Sequence, residues 1–203
     1  MKTSASTVHE LFPDTHHDAY SRTTFGFWLF LLTDFVLFGT LFACYAVLKG
    51  GTNGGPGVKE IFHVPATLLP TLTLLLCSFT ASLGGAYAHR KDKKMTMLYF
   101  AITFVLGLAF TWMECSDMSR LFHMGHSWKN SAFLSAYFTI AGTHALHLIF
   151  ALLWTLVILF PLWREESVSH VSVRRVVCLK MFWQFLNIIW VFIYSFIYLM
   201  GSL

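Results

Sequence analysis

Charge is scarce in this chain of 203 residues, of which only 12% are Asp, Glu, Lys or Arg. A soluble domain carries about 25%, so most of this surface is not built for water. Alternation is missing as well. The long apolar runs do not repeat with the period of two that a membrane barrel needs, which leaves helices as the means of crossing a bilayer. Cysteines are few: Cys44, Cys77, Cys115 and Cys178 stand singly, without a C-x-x-C pair. Their placement argues against a disulfide framework or a thiolate metal site, and they read as small buried residues. No phosphate-cradling glycine loop, nucleophile elbow, zinc-protease helix or haem-attachment C-x-x-C-H occurs anywhere. By these signatures the chain has no active site of its own.

Apolar residues are abundant instead: 56% of the chain is hydrophobic and 17% aromatic, with a mean hydropathy of +0.63. This composition is that of an all-α membrane protein. Crossing the hydrocarbon takes about 20 apolar residues in a helix, and runs of that kind predict five spans, at about 25–49, 65–88, 95–115, 132–160 and 176–200. The first 24 residues read as a polar tail, whose histidines His9, His16 and His17 are solvated side chains in the plain reading. Residues 25–203 form the transmembrane domain. Turn-rich GGTNGGPG at 50–57, HRKDKK at 89–94, SDMSRLFHMGHSWKN at 116–130 and WREESVSHVSVRR at 163–175 connect the spans.

Five crossings put the two ends on opposite sides. With the N-terminus cytoplasmic, ten of the 14 Lys and Arg residues fall on the inner side, and only Lys49, Lys59, Arg120 and Lys129 fall outside. The positive-inside rule therefore predicts a cytoplasmic N-terminus and an exported C-terminus. The net charge of +4 is a topology signal, and its residues lie too close to the spans to suggest nucleic-acid binding.

Against this background the polar residues inside the spans stand out. Asp34, in the middle of GFWLFLLTDFVLFGTLFACYAVL, costs ~2.5–3.5 kcal/mol at the centre of a helix, a penalty the surrounding Leu, Val and Phe offset at about 0.3–0.6 each. Insertion survives, but the acid must face protein or trapped water. No companion titratable group at its depth is evident, so it reads as a hydrogen-bonded acid at a helix or lipid contact. His144 and His147 stand three residues apart on one helical face, a spacing that suits a metal but serves packing more often. Gln184, Asn187, Val191, Tyr194 and Tyr198 form a stripe of spacing 3, 4, 3 and 4, the pattern of an interhelical seam. Glu114 and Asp117, one turn apart in WMECSDM, read as interfacial capping or loop pairing. Gly39 and Ala43, and Ser78, Ala81, Ser82, Gly85 and Ala88, form small-residue faces that let helices approach closely.

Several segments carry a resemblance in order and spacing: FGFWLFLLTDFVLFGTLFACYAVL, KGGTNGGPGVKEIF, WMECSDM, SAFLSAYFTIAGTHALHL, CLKMFWQFLNIIWVFIY and YLMGSL. Together they resemble subunit III of the haem-copper respiratory oxidases, nearest the short five-span form of bacterial cytochrome bo-type ubiquinol oxidases. That family holds a buried carboxylate at the position of Asp34. Its G-T-H-G-L-H segment is present here as Gly142 to His147 with Ala145 in place of a glycine, and its F-W-H-F-x-D-x-x-W segment as Phe182 to Trp190. In the second segment a histidine and an aspartate have become Gln184 and Asn187, which removes two titratable groups and keeps hydrogen-bonding capacity.

The resemblance implies an accessory subunit without redox centres, a V-shaped set of helices with phospholipid in its cleft. It would pack in the bacterial inner membrane against a large subunit I that holds haem b, haem o and copper, together with subunits II and IV. Asp34, Glu114, His144, His147, Gln184 and Asn187 are then supporting residues, with no catalytic, cofactor or metal role. Subunit III of a cytochrome c oxidase is the near alternative. A small transporter using Asp34 would be expected to show broken helices or an internal repeat, and neither is present. A freestanding haem protein using His144 or His147 would show a Soret band.

Overall fold

A computed structural model describes residues 15–52, 64–125, 128–164 and 169–199, with side chains from Tyr20 in the first segment and from Leu68 in the second. Five helices cover nearly all of them: α1 Thr15–Leu48, α2 Val64–His89, α3 Lys93–His123, α4 Ala132–Arg164 and α5 His170–Ile193. A π-helical turn, Tyr194–Leu199, continues α5. Each helix is long and apolar enough to cross a membrane, so the chain is a multi-pass membrane protein. His9 and residues 200–203 lie outside the described residues, as do the side chains of His16 and His17.

The helices run beyond the apolar segments. Helix α1 begins at Thr15, inside the segment read as a tail, α3 continues to His123, and α5 begins at His170. Length explains this, since helices of 24 to 34 residues extend about 36–51 Å at 1.5 Å per residue, past a hydrocarbon core of about 30 Å. Polar helix ends therefore reach the headgroup layer, where charge is no reason to stop.

The helix ends carry their own signals. Asp92 caps α3 by accepting from the Met95 N–H at 3.3 Å, and Ser169 caps α5 by accepting from the Ser172 N–H at 3.2 Å. Ser131 does the same for α4 through the Leu134 N–H. Gly125 follows α3 at φ +82°, a left-handed closure that glycine adopts without strain. The α2–α3 turn is tight enough to place Lys91 at φ 58°. Asp92→Ala is expected to cost about 1 kcal/mol of stability, read as a lowered midpoint in detergent unfolding.

Packing sets the shape. Helix α5 lies against α1, α2 and α4; α2 also packs on α3, α3 on α4 and α4 on α1. Of the most apolar stretch of α5, 61% is buried, and of that of α1 only 11%. Thus α5 is the central helix and α1 a peripheral one. Because α1 leans on α4 and α5 rather than α2, a cleft stays open between α1 and α2 with α5 as its floor.

Small residues on α2 have their partners inside the chain. A Cβ on Gly84 would meet the Phe100 ring at 2.8 Å, and one on Gly85 would meet the Lys180 stem at 2.6 Å. On α1 the equivalent face is open: nothing lies within 4 Å of a Cβ built on Gly39. The cysteines also divide. Cys77 and Cys178 are buried as expected, whereas Cys44 and Cys115 are exposed, because each lies on the outward face of a helix whose inward positions are filled by Tyr45 and Glu114.

Candidate functional site

Helix α4 lies between α1 on one side and α3 and α5 on the other. Its two histidines, about 60° apart on one face of the helix, meet different neighbours. His144 is fully buried. Its Nε2 is 3.3 Å from the Leu186 carbonyl of α5, and its Nδ1 is 3.4 Å from Oε1 of Glu114 on α3. A carbonyl only accepts, so Nε2 carries a proton, and the other contact is attractive when a second proton sits between Nδ1 and Oε1. The imidazole ties three helices together. Trp190 lies against it at a centroid distance of 5.3 Å, and Phe110 meets Trp190 edge-on at 4.7 Å.

This placement corrects the reading of Glu114 as an interfacial capping residue. The carboxyl is buried with 5% of the residue exposed, and Oε2 has no hydrogen-bond partner among the described residues. Its neighbour Asp117 does pair locally, with Arg120 at 3.9 Å on the exposed surface, where such pairs contribute little. One turn of helix separates the two acids in sequence, and the inward face of α3 takes only the first.

His147 is turned toward α1. Its Nδ1 donates to the Thr143 carbonyl at 2.8 Å, while Nε2 lies 3.8 Å from Oδ2 of Asp34 on α1. Asp34 therefore has a titratable companion at its own depth, which the sequence did not reveal. The distance is that of an ion pair and too long for a hydrogen bond, and Oδ2 is otherwise unpartnered among the described residues. Phe38 of α1 covers the imidazole at 5.3 Å, so the contact sits in an apolar wrapping.

The polar stripe of α5 divides rather than forming one seam. The Gln184 amide donates to Ser82 of α2 at 3.0 Å. Asn187 makes no hydrogen bond among the described residues, and its Oδ1 is buried. Val191 is exposed. The hydroxyls of Tyr198 and Tyr137 lie 3.1 Å apart in a buried contact, and the π turn carries Tyr198 to that position. Indoles supply further ties: Trp183 donates to Thr155 of α4 at 3.2 Å and Trp190 to Thr71 of α2 at 3.0 Å. Thr155, alone among apolar residues in the second half of α4, was the available sequence signal for its bond, whereas Thr71 is one of several hydroxyls on α2.

Gln184 and Asn187 also form the polar part of the floor of the α1–α2 cleft. This cleft has a volume of about 470 Å³, with Trp28 and Phe35 of α1 on one wall, Ser78 of α2 on the other and Phe185 beside the amides. A second recess, near the N-terminal ends of α1 and α5, combines Phe27, Phe30 and Trp154 with Arg174 and Arg175. Among the described residues no group of three or more His, Cys, Asp and Glu side chains is placed to hold a metal.

Comparison with known proteins agrees with this architecture. The family described as cytochrome c oxidase subunit III matches residues 8–202. The cytochrome bo(3) ubiquinol oxidase subunit 3 of Pseudomonas aeruginosa is 42% identical over 94% of this chain and 90% of its own length. The cytochrome c oxidase subunit 3 of Bacillus sp. (strain PS3) is 38% identical over 87% of this chain and 84% of that relative, and the quinol oxidase subunit 3 of Bacillus subtilis is 34% identical over 87% and 86%. Five spanning helices, inward-turned acids and histidines, and a match along nearly the whole length agree: the chain belongs to the cytochrome c oxidase subunit III family, the accessory subunits of haem-copper oxidases, which carry no redox cofactor.

Proposed function

We infer that this chain is the accessory subunit III of a proton-pumping terminal quinol oxidase in aerobic respiration. The carrying observation is the 42% identity, over 94% of the chain, to a relative named as a ubiquinol oxidase subunit 3. In this reading haem b, haem o and copper reside in a large subunit I, which performs quinol oxidation, dioxygen reduction and proton pumping. Subunits II and IV complete the assembly in the bacterial inner membrane. The N-terminus is cytoplasmic and the C-terminus periplasmic, a reading that the distribution of Lys and Arg supports.

The chain supplies a scaffold. Both intramembrane acids are turned toward histidines of α4, and the outer faces are apolar. Glu114, His144, His147 and Gln184 tie neighbouring helices together, and with Asp34 and Asn187 they shape the proton and lipid environment beside the catalytic subunit. Bound phospholipid fits the recess at Arg174 and Arg175, two cations for a phosphate above the aromatic wall of Trp154.

Affinity isolation of the tagged chain from native membranes tests this reading. Haem b, haem o, copper and ubiquinol oxidation are expected to co-purify; isolation without haem would overturn it. A copper pair and a cytochrome c site in subunit II would instead identify a cytochrome c oxidase. Asp34→Asn is expected to leave the haem spectrum of the complex intact and to weaken subunit retention or sustained turnover, measured by subunit stoichiometry after detergent washing and by oxygen uptake over time. Asparagine keeps the shape and loses the carboxyl that faces His147.

A further inference from the structure

The α1–α2 cleft has a chemistry that the scaffold role does not use. Its lining runs from Trp28 to Phe35 on α1 and from Met181 to Ile188 on α5, about two turns and roughly 10 Å on each helix. A spanning helix of a partner needs a groove of about 30 Å, so this is a niche for a small molecule. It opens sideways between two helices long and apolar enough to span a bilayer, which admits ligands dissolved in the hydrocarbon.

The floor defines the head of such a ligand. Gln184 has its amide N–H engaged by Ser82, which leaves its Oε1 as an acceptor. Asn187, three residues on, makes no hydrogen bond among the described residues, and rotation of its amide presents either a donor or an acceptor. An acyl chain would leave these groups unpaired, at the cost of a lost hydrogen bond in an apolar site. A phosphate held at Arg174 and Arg175 stands away from them: Gln184 and Asn187 follow Arg175 by nine and 12 residues, about 14 and 18 Å of helix deeper. An uncharged ring with oxygen substituents satisfies both amides at that depth, and Trp28, Phe35 and Phe185 offer it aromatic surfaces.

We propose that the cleft between α1 and α2 binds a quinone or quinol through Gln184 and Asn187, with the ring against Trp28, Phe35 and Phe185 and the tail leaving between the helices. This goes beyond the accessory role and adds a site within this subunit, without electron transfer there.

The test uses the whole complex isolated from native membranes, photolabelled with an azido-quinone and mapped by peptide mass spectrometry. Adducts are expected within residues 28–35 and 181–188, and they should disappear when excess non-reactive quinone competes. Asn187→Leu should lower that labelling roughly five-fold, the weight of one hydrogen bond. Leu32→Trp, a bulky side chain at a lipid-exposed position of the cleft wall, should lower it while both amides remain, which keeps the test valid if the first variant fails to assemble. Adducts only elsewhere, or adducts in these segments indifferent to competitor and to both variants, would overturn the proposal. So would labelling of the same segments by a photoreactive phospholipid that quinone does not displace, or a crosslink from Asn187 to a partner's helix. Ubiquinol oxidation by the same preparation reports separately on the assembly reading.

Discussion

Glu114→Ala is expected to destabilise the subunit by about 3 kcal/mol, because it leaves His144 buried without the carboxyl that faces its second ring nitrogen. The magnitude follows from comparing three effects. Interhelical hydrogen bonds in membranes contribute about 0.6 kcal/mol on average, too little by themselves. Leaving a buried ring nitrogen without its hydrogen-bond partner costs about 1–3 kcal/mol, and the cavity left by the missing carboxyl adds to it. Both partners are almost fully buried, so solvent cannot replace the missing group. Glu114→Gln should cost only about 1 kcal/mol, since an amide can still hydrogen-bond Nδ1. Detergent unfolding followed by circular dichroism, together with retention of the subunit in the complex, measures both. Equal losses for the two variants would show that the contact carries no such energy.

The second large effect is expected at a glycine. Gly107→Ala should cost about 2–3 kcal/mol, a large loss for one methyl group. A Cβ there would stand 2.6 Å from the Trp183 ring and 3.1 Å from Leu152. Trp183 is rigid, fully buried and hydrogen-bonded to Thr155, so making room means breaking that bond or spreading α3 from α5. Gly85→Ala offers the contrast. Its Cβ would meet Cδ of Lys180 at 2.6 Å, and the end of a flexible chain can swing away. Gly39→Ala meets nothing within the subunit. The three alanine variants, compared by thermal unfolding, should therefore rank Gly107 far below Gly85 and Gly39; an equal ranking would contradict the packing described for α3 and α5.

Much of the fold was legible because the bilayer restricts the choices. A chain with so little charge and five runs of spanning length can satisfy its backbone in lipid only as helices, and the structure has five long apolar helices, with polar ends that hydropathy does not register. The polar interior was less legible. His144 and His147 were visible as a pair, yet helical spacing alone places them on one face without saying that α4 has a neighbour on each side. Asp34 acquired its companion only when α1 and α4 were brought together across more than a hundred residues. Glu114 and Asp117 looked equivalent in WMECSDM, and the packing of α3 buried one and left the other in contact with Arg120.

What the sequence determined by itself was the solvent, the number of crossings and, through motifs in order, the resemblance to an oxidase subunit III. These follow from composition and local order, which need no knowledge of neighbours. The pairing of acids with histidines, the unpaired amide of Asn187 and the cleft above it depended on tertiary structure. In lipid there is little hydrophobic force to choose one helix partner over another. Close packing and a few hydrogen bonds therefore make that choice, and both are properties of surfaces that exist only once the helices have met.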